Sequence, residues 1–259
     1  MHLKNFFLAF VLFYATEASA FSVEHEFLVQ IGAFDAAKVK FTYRLNDNDY
    51  GIRSNIATNG FFNTLYPFMA QYDTSGILKK DQMTTRDYQY VSRSRFKVRS
   101  KQVIFDDNGI PQSQIVVTNG KKKTRNFTPS PTPADTFDLQ TVLMKIAYQY
   151  NQMGFCASNM AVYDGKRRFD VEVVDLGTDN LTKNEISPLE GEANLCSMHI
   201  KKVLSDDDDT LWEFASNKPI DFWIMRDKTS MRPFIARVKI KGTPLGELNA
   251  YVTDINIED

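Results

Sequence analysis

A period-two alternation of apolar and polar side chains recurs along most of this chain and limits what it can fold into. The stretch 38–45 alternates strictly, and its apolar side carries Val39, Phe41, Tyr43 and Leu45. Because successive side chains of a strand point to opposite faces, this pattern predicts strands with one buried and one solvated face. Similar runs occupy 89–105, 114–117, 160–163, 169–174, 197–203, 219–225, 234–240 and 248–257.

So many strands joined by short polar turns predict a mainly β fold. We expect an antiparallel, strongly curved sheet or a partly open barrel or sandwich, because a flat open sheet exposes edges that aggregate. One segment departs from this pattern. From about residue 138 to 153, apolar residues recur at three- and four-residue spacing, which predicts one amphipathic helix packed on the sheet. Asp135 or Thr136 is expected to cap its start, and Gly154 its end.

The first twenty residues have the three parts of a secretory signal peptide. Lys4 precedes an apolar run over 6–15, and Ala18 and Ala20 supply the small residues of a cleavage site. We therefore expect cleavage before Phe21 and a periplasmic mature chain, 21–259, that forms one β-rich domain. An uncleaved N-terminal anchor is the alternative. No later run reaches the roughly 20 apolar residues of a membrane span. The stretch 121–134 could instead link two domains.

Cys156 and Cys196 are the two cysteines of the chain. Export to an oxidising compartment favours a disulfide between them, whereas two buried free thiols are the alternative. Neither cysteine has a second one at metal-ligand or redox spacing, so the sequence predicts no metal site here.

A hairpin motif supports a family resemblance. Residues 160–170 read Met-Ala-Val-Tyr-Asp-Gly-Lys-Arg-Arg-Phe-Asp, with Asp164, Gly165, Arg167 and Arg168 at the turn. This motif resembles that of the bacterial domain of unknown function 3108 family. The segment around Cys196 is similar to a cysteine-bearing branch of that family. The resemblance implies an exported, mostly β protein of the Gram-negative envelope, and it supplies no catalytic residues.

Residues that could support catalysis are few. His25 and His199 lie far apart in sequence, and no nucleophile elbow, zinc motif or phosphate-binding glycine loop is present. The acidic run 206–209 lacks the ligand spacing of a calcium loop, so a solvated loop is the simpler interpretation. We therefore predict no enzymatic activity, no cofactor and no metal. A hydrolase would need one of the histidines beside a carboxylate or a serine.

The net charge of −1 conceals an uneven distribution, with basic residues in excess before Arg168 and acidic residues in excess after it. Within 89–105, basic residues alternate strictly, so one continuous strand would place them on a single face. That stripe is either a solvated face that protects an edge strand, or a site for an anion. The five residues of the stripe are Arg93, Arg95, Lys97, Arg99 and Lys101. Lys121 to Lys123 and Arg125 form a second basic cluster.

Aromatic residues crowd the segment 61–72, and most are expected in the core. Some could instead line an apolar pocket under the helix, where sheet-plus-lid folds hold acyl chains. The predicted lining is Phe61, Phe62, Tyr66, Phe68, Leu139, Leu143 and Ile146.

The sequence thus predicts a non-enzymatic periplasmic protein that binds an amphipathic or anionic envelope component, such as a lipid or a lipopolysaccharide. The alternative is an envelope assembly or scaffold factor that docks a protein partner through its basic strand. A nucleic-acid partner does not suit this compartment, and the aromatic residues are not interleaved as a base-stacking platform.

Overall fold

The computed structural model describes residues 21–79, 82–127, 132, 134–205, 218–243 and 245–258. The predicted signal peptide and the acidic run 206–209 lie outside these ranges. So do three prolines before the helix, at positions 129, 131 and 133.

The described residues form fifteen strands and two helices. The first eight strands are β1 (Phe21–Ile31), β2 (Phe34–Leu45), β3 (Asp49–Thr58), β4 (Phe68–Lys79), β5 (Gln82–Ser94), β6 (Val98–Phe105), β7 (Pro111–Thr118) and β8 (Lys121–Asn126). The others are β9 (Thr136–Phe137), β10 (Ser158–Tyr163), β11 (Arg167–Leu181), β12 (Gly191–Ser205), β13 (Ile220–Arg226), β14 (Pro233–Thr243) and β15 (Gly246–Glu258). The helices are α1 (Gly60–Leu65) and α2 (Leu139–Met153).

All fifteen strands belong to one sheet. Its order runs from β8 back to β1, then from β15 back to β9, so the first and last strands pair near its middle. Neighbouring strands are antiparallel apart from β9, which runs parallel to β10. The sheet stays open, with β8 and β9 at its two edges. The prediction of a mainly β, strongly curved and incompletely closed sheet is confirmed.

Helix α2 packs inside the curve of this sheet. It contacts β4, β10 and β14, which lie far apart in the strand order, so the sheet bends around the helix. Val142, Met144 and Ile146 are buried in the same core as Phe41 and Phe169. We call the face of the sheet that shares this core the inner face, and the opposite face the outer face. The predicted helix is confirmed.

The start of α2 differs from the prediction. Asp138 is the N-cap, and its carboxylate accepts hydrogen bonds from the backbone N–H groups of Gln140 and Thr141. The prediction of Asp135 or Thr136 was wrong, because Thr136 belongs to β9 and Asp135 has a positive φ of 58°. Gly154 does end the helix in the left-handed conformation, with φ 76°.

The carboxylate of Asp138 also joins the helix to two strands. It accepts hydrogen bonds from the hydroxyls of Thr74 on β4, at 2.8 Å, and Thr85 on β5, at 2.9 Å. The hydroxyl of Thr141 donates to it as well, and Gln140 donates to Thr74. All of these side chains are buried, so the network satisfies polar groups that have no access to water.

We predict that Asp138→Ala lowers the free energy of unfolding by roughly 3 kcal/mol, because the helix loses its cap and buried hydroxyls lose their acceptor. Urea denaturation measures this change. Asp138→Asn keeps one side-chain oxygen and should cost less. A loss below about 1 kcal/mol for the alanine variant would show that the network contributes little.

Candidate anion-binding site

The five basic residues predicted to share one strand face do not do so. Strand β5 ends at Ser94 and β6 begins at Val98, and the backbone N–H of Ser94 donates to the carbonyl of Lys97 at 2.9 Å. A hairpin turn therefore interrupts 89–105. It places Arg95 and Lys97 in the turn rather than in a strand, so the continuous-strand prediction was wrong.

The other three residues lie on different faces. Arg93 is exposed on the outer face. Arg99 and Lys101 pair with Ser92 and Tyr90, and this register places them on the inner face. The hairpin explains the difference. Arg93 pairs with Val98, so odd-numbered residues near the end of β5 share the outer face with even-numbered residues at the start of β6, and Arg99 falls on the inner face.

The structure brings Lys97 and Arg99 together with the second basic cluster. Strand β8 carries Lys121, Lys123 and Arg125 on the inner face, directly beside β7 and one strand from β6. These five cations line a concave site of about 840 Å³, which we call the basic cleft. The described residues that line it include no Asp or Glu.

The basic cleft therefore has the electrostatics of an anion site. Cations on adjacent strands within a concave surface add their potentials, which attracts phosphate or carboxylate groups. The buried Nε of Arg99 has no hydrogen-bond partner among the described residues. The guanidinium of Arg125 lies 5.3 Å from the ring centre of Phe127, a cation–π contact that orients it.

Lys101 is directed away from this site. Its ammonium donates a hydrogen bond to the backbone carbonyl of Asp164. Burial lowers the pKa of Lys101, and the nearby charge of Asp164 partly opposes that shift. Its predicted role as an anion contact is therefore not supported, since a ligand would have to displace an internal partner.

The partner of Lys101 belongs to the hairpin motif. Asp164 begins the β10–β11 turn, and its carboxylate accepts from the backbone N–H groups of Lys166, at 2.8 Å, and Arg167, at 2.7 Å. The Arg167 guanidinium donates to the other carboxylate oxygen at 2.9 and 2.7 Å. Burial alone would raise the pKa of Asp164, but Lys101 and Arg167 hold it below its usual value.

The rest of the motif attaches the turn to distant strands. Gln114 on β7 donates to the carbonyl of Gly165 at 2.6 Å. Arg168, by contrast, forms a 3.5 Å ion pair with the exposed Asp170. We call the contacts of Lys101 and Gln114 with the β10–β11 turn the latch. It joins strands that lie near opposite edges of the sheet and so holds the sheet curled.

The seven residues predicted to line an apolar pocket do not come together, although one of them, Leu143, lines an apolar cavity under α2. Phe61 and Phe62 belong to α1, which packs on β2 and β3, and Phe61 and Tyr66 are exposed. Phe68 starts β4 and is half-buried, whereas Leu139, Leu143 and Ile146 lie in the core on α2. Alternation alone could not show that the aromatic segment forms a separate short helix.

A groove that the sequence did not predict lies on the outer face of β1–β6. It has a volume of about 850 Å³, and Leu28, Met69 and Val91 contribute to a mostly apolar lining. Lys38 and Arg93 stand at its sides, and neither forms an ion pair with a residue that the structure describes. We call this site the outer groove. Its lining comes from seven strands, β1 to β6 and β15, so no single stretch of sequence predicts it.

A smaller apolar cavity of about 250 Å³ lies between part of α2 and the inner face of the sheet. His25 lies on its wall, 5.7 to 6.2 Å between ring centres from Phe27, Phe41, Tyr43 and Phe234. Neither ring nitrogen has a hydrogen bond of good geometry to a described residue. Burial lowers the pKa of His25 to about 4, and the backbone of Phe41 opposes this shift.

The described residues show no assembled catalytic group. His199 is exposed on β12 opposite Glu172, and no hydrogen bond joins either described histidine to a carboxylate or a serine. No cluster of three potential metal ligands occurs within the described ranges.

The predicted disulfide is confirmed. Cys156 and Cys196 are fully buried, and their sulfur atoms are 2.07 Å apart. The bond fixes the chain that leaves α2 to the middle of β12. Asn194 donates to the carboxylate of Asp175 at 3.0 Å beside it, and that carboxylate also accepts from the backbone N–H of Cys156.

Fold and site together define an open, curled β-sheet protein that encloses one helix and presents a basic cleft near one sheet edge. The chain belongs to the DUF3108 family of proteins of unknown function, whose model matches residues 26–253. The predicted resemblance is thereby confirmed. No curated protein matches the chain.

One similar solved structure is a β-barrel-like protein of the domain of unknown function DUF1849 from Brucella abortus. The two share 10% sequence identity with a TM-score of 0.51, over 93% of this chain and 98% of the other. At that identity the likeness concerns the fold alone. Neither of the described helices has the length and hydropathy needed to cross a bilayer.

We predict that Gly165→Ala is strongly destabilising. Its φ is +90°, and an added Cβ would lie 2.5 Å from Gln114 Nε2 and 2.7 Å from Val103 Cγ2. Gly120 is the matched control, since its φ is +81° and nothing lies within 4 Å. Gly120→Ala should cost about 1 kcal/mol from backbone strain, and Gly165→Ala about 2 kcal/mol more. Equal thermal or urea stabilities of the two variants would show that the contacts around Gly165 can accommodate a methyl group, and would contradict the prediction.

We also predict an acid-dependent loss of stability from His25. Because its folded pKa lies below its unfolded value, the unfolded chain takes up the proton first as the pH falls from about 6.5 toward 4. His25 should therefore lower the free energy of unfolding by about 2 kcal/mol between pH 7 and pH 4.5. His25→Phe should remove this component, and His199→Gln should retain it. Identical pH profiles for wild type and His25→Phe would contradict the prediction.

Proposed function

We propose that this protein is an exported, non-enzymatic envelope protein that binds an anionic, amphipathic component of lipid or lipopolysaccharide type. The basic cleft carries this proposal, because five cations line a concave surface to which the described residues contribute no carboxylate. Phosphate groups and acidic sugars are the ligands whose charge such a surface complements.

The outer groove supports an amphipathic ligand rather than a purely polar anion. The groove and the basic cleft lie on opposite faces of the sheet, and both reach the β5–β6 turn, where Lys97 lines the cleft and Val98 lines the groove. Its volume falls within the range of small-molecule sites, and its apolar lining suits an acyl chain. Lys38 and Arg93 stand where they can contact an anionic headgroup at the groove. Lys40, in contrast, is paired with Glu24 at 2.6 Å.

Export is part of the proposal. The signal-peptide pattern of residues 1–20 supports a periplasmic location, and the Cys156–Cys196 disulfide is consistent with an oxidising compartment. A binding role without catalysis is supported by the surroundings of the two described histidines. His25 is enclosed by aromatic rings, and His199 stands in the open on a strand surface.

Calorimetric titration with a short-chain phosphatidic acid tests the proposal, with phosphatidylcholine of the same chain length as the comparison. Wild-type protein should bind the anionic lipid more tightly. Lys121→Glu combined with Lys123→Glu should weaken that binding by at least about tenfold, because two attractive charges become repulsive.

The matched control is Lys183→Glu with Lys228→Glu, which changes the net charge equally at exposed sites outside the cleft. It should bind like wild type. Equal weakening in both double variants would show that only net charge matters, and would contradict a role for the cleft. If neither lipid bound wild-type protein, the proposal would fail, and the scaffold alternative, with a protein partner on the basic face, would be favoured.

A further inference from the structure

Large exposed apolar side chains are concentrated at one end of the sheet. Strands β14, β15 and β1 to β6 form one antiparallel meander, so the turns after β1, β3, β5 and β14 emerge at the same end. Phe96 in the β5–β6 turn is 81% exposed, and Leu245 in the β14–β15 turn is 66% exposed. We call this set the aromatic tip, and it comprises Phe34, Phe61, Leu65, Tyr66, Phe96 and Leu245.

Direct contacts join several parts of the aromatic tip. The rings of Phe34 and Phe61 lie 6.4 Å apart between centres, so the start of β2 touches α1. The backbone N–H of Gly32 donates to the carbonyl of Glu247 at 2.9 Å, which joins the β1–β2 turn to the start of β15. An exposed apolar surface of this kind on a folded protein indicates a binding surface.

Basic residues border the tip. Arg95 and Lys97 flank Phe96 in its turn. The β7–β8 turn lies beside it, since the backbone N–H of Val98 donates to the side-chain oxygen of Asn119 at 2.8 Å, and this turn leads into Lys121.

Two acidic side chains of the described residues lie close to these turns, Asp35 and Glu247. Glu247 is paired with Lys239 at 2.8 Å, whereas Asp35 accepts a hydrogen bond at 2.9 Å from Gln30, a neutral donor that supplies no counter-charge. Arg95, Lys97 and Lys121 outnumber Asp35, so the described part of this end is apolar at its centre and net positive at its margin.

We infer that the aromatic tip docks on the surface of an anionic lipid bilayer. Aromatic rings are favoured at the membrane–water interface, and cations beside them attract anionic headgroups. A second copy of the chain fits less well, because its tip would carry the same net positive charge and the two tips would repel each other.

The inference rests on the proposed function and adds the place where the protein would meet its lipid. The outer groove reaches this end of the sheet, since Met69 at the start of β4 and Val98 at the start of β6 both line it. A lipid that leaves the bilayer at the aromatic tip could therefore enter the outer groove directly.

Tryptophan fluorescence tests the inference with vesicles of phosphatidylglycerol and phosphatidylcholine, and with vesicles of phosphatidylcholine alone. After subtraction of the wild-type spectrum, which contains the emission of Trp212 and Trp223, Phe96→Trp should show a blue shift with the anionic vesicles and little change with the neutral ones. Phe155→Trp is the control. Phe155 is an exposed residue after α2, and the last turn of α2 is bonded to Arg226. Arg226 ends β13 and pairs with Pro233 at the start of β14, whereas Leu245 follows the other end of β14. It should show no shift. No shift for Phe96→Trp, or equal shifts for both variants, would overturn the inference.

Co-sedimentation with the anionic vesicles supplies the second measurement. The triple variant Phe34→Ser, Phe61→Ser, Phe96→Ser should bind at least about tenfold more weakly, because it loses three apolar side chains from the interface. Its binding of short-chain phosphatidic acid should be unchanged. Vesicle binding thus tests the inference about the tip, and binding of the short-chain lipid tests the proposed function separately. Unaltered vesicle binding would overturn the inference. Conversion of a wild-type dimer to a monomer would also overturn it, since the occupant would then be a second copy.

Discussion

Burial of the apolar stripe of helix α2 is the constraint on which the rest of this structure depends. The described chain has no second long helix to cover that stripe, so the inner face of the sheet must do so by bending around it. Both ends of the helix are bonded to strands. Asp138 accepts from Thr74 and Thr85 at the first turn, and Arg226 donates to the carbonyl of Tyr150 at the last.

The latch completes the curvature without closing the sheet into a barrel. It joins β6 and β7 to the β10–β11 turn, and β8 remains beyond them as an edge strand whose side chains are all exposed. Lysines on such an edge oppose pairing with another chain. The same lysines line the basic cleft, so protection of the edge and attraction of an anion are compatible roles for one strand.

Most of the architecture was readable because it depends on local periodicity. Period-two runs marked the strands, three- and four-residue spacing marked α2, and Asp164-Gly165 marked a hairpin. The main failure, at 89–105, has a physical explanation. The turn Ser94-Arg95-Phe96-Lys97 contains no glycine, proline, asparagine or aspartate, so its only turn signal in the sequence is the weak one of Ser94. The N-cap was also misplaced, because Thr136 pairs in β9 instead of capping the helix.

The sequence by itself determined the β class, the position of the helix, the cysteine pair and the two basic clusters, since each is written in neighbouring residues. Only the tertiary structure decided which of those cations act together. Lys101 binds Asp164, 63 residues away, while Arg99 joins Lys121 and Lys123 across β7. Strand register and sheet curvature set these neighbours. Strand register and sheet curvature both depend on burying the inner face around α2. That burial depends on contacts between residues far apart in the chain, so no short stretch of sequence predicts it.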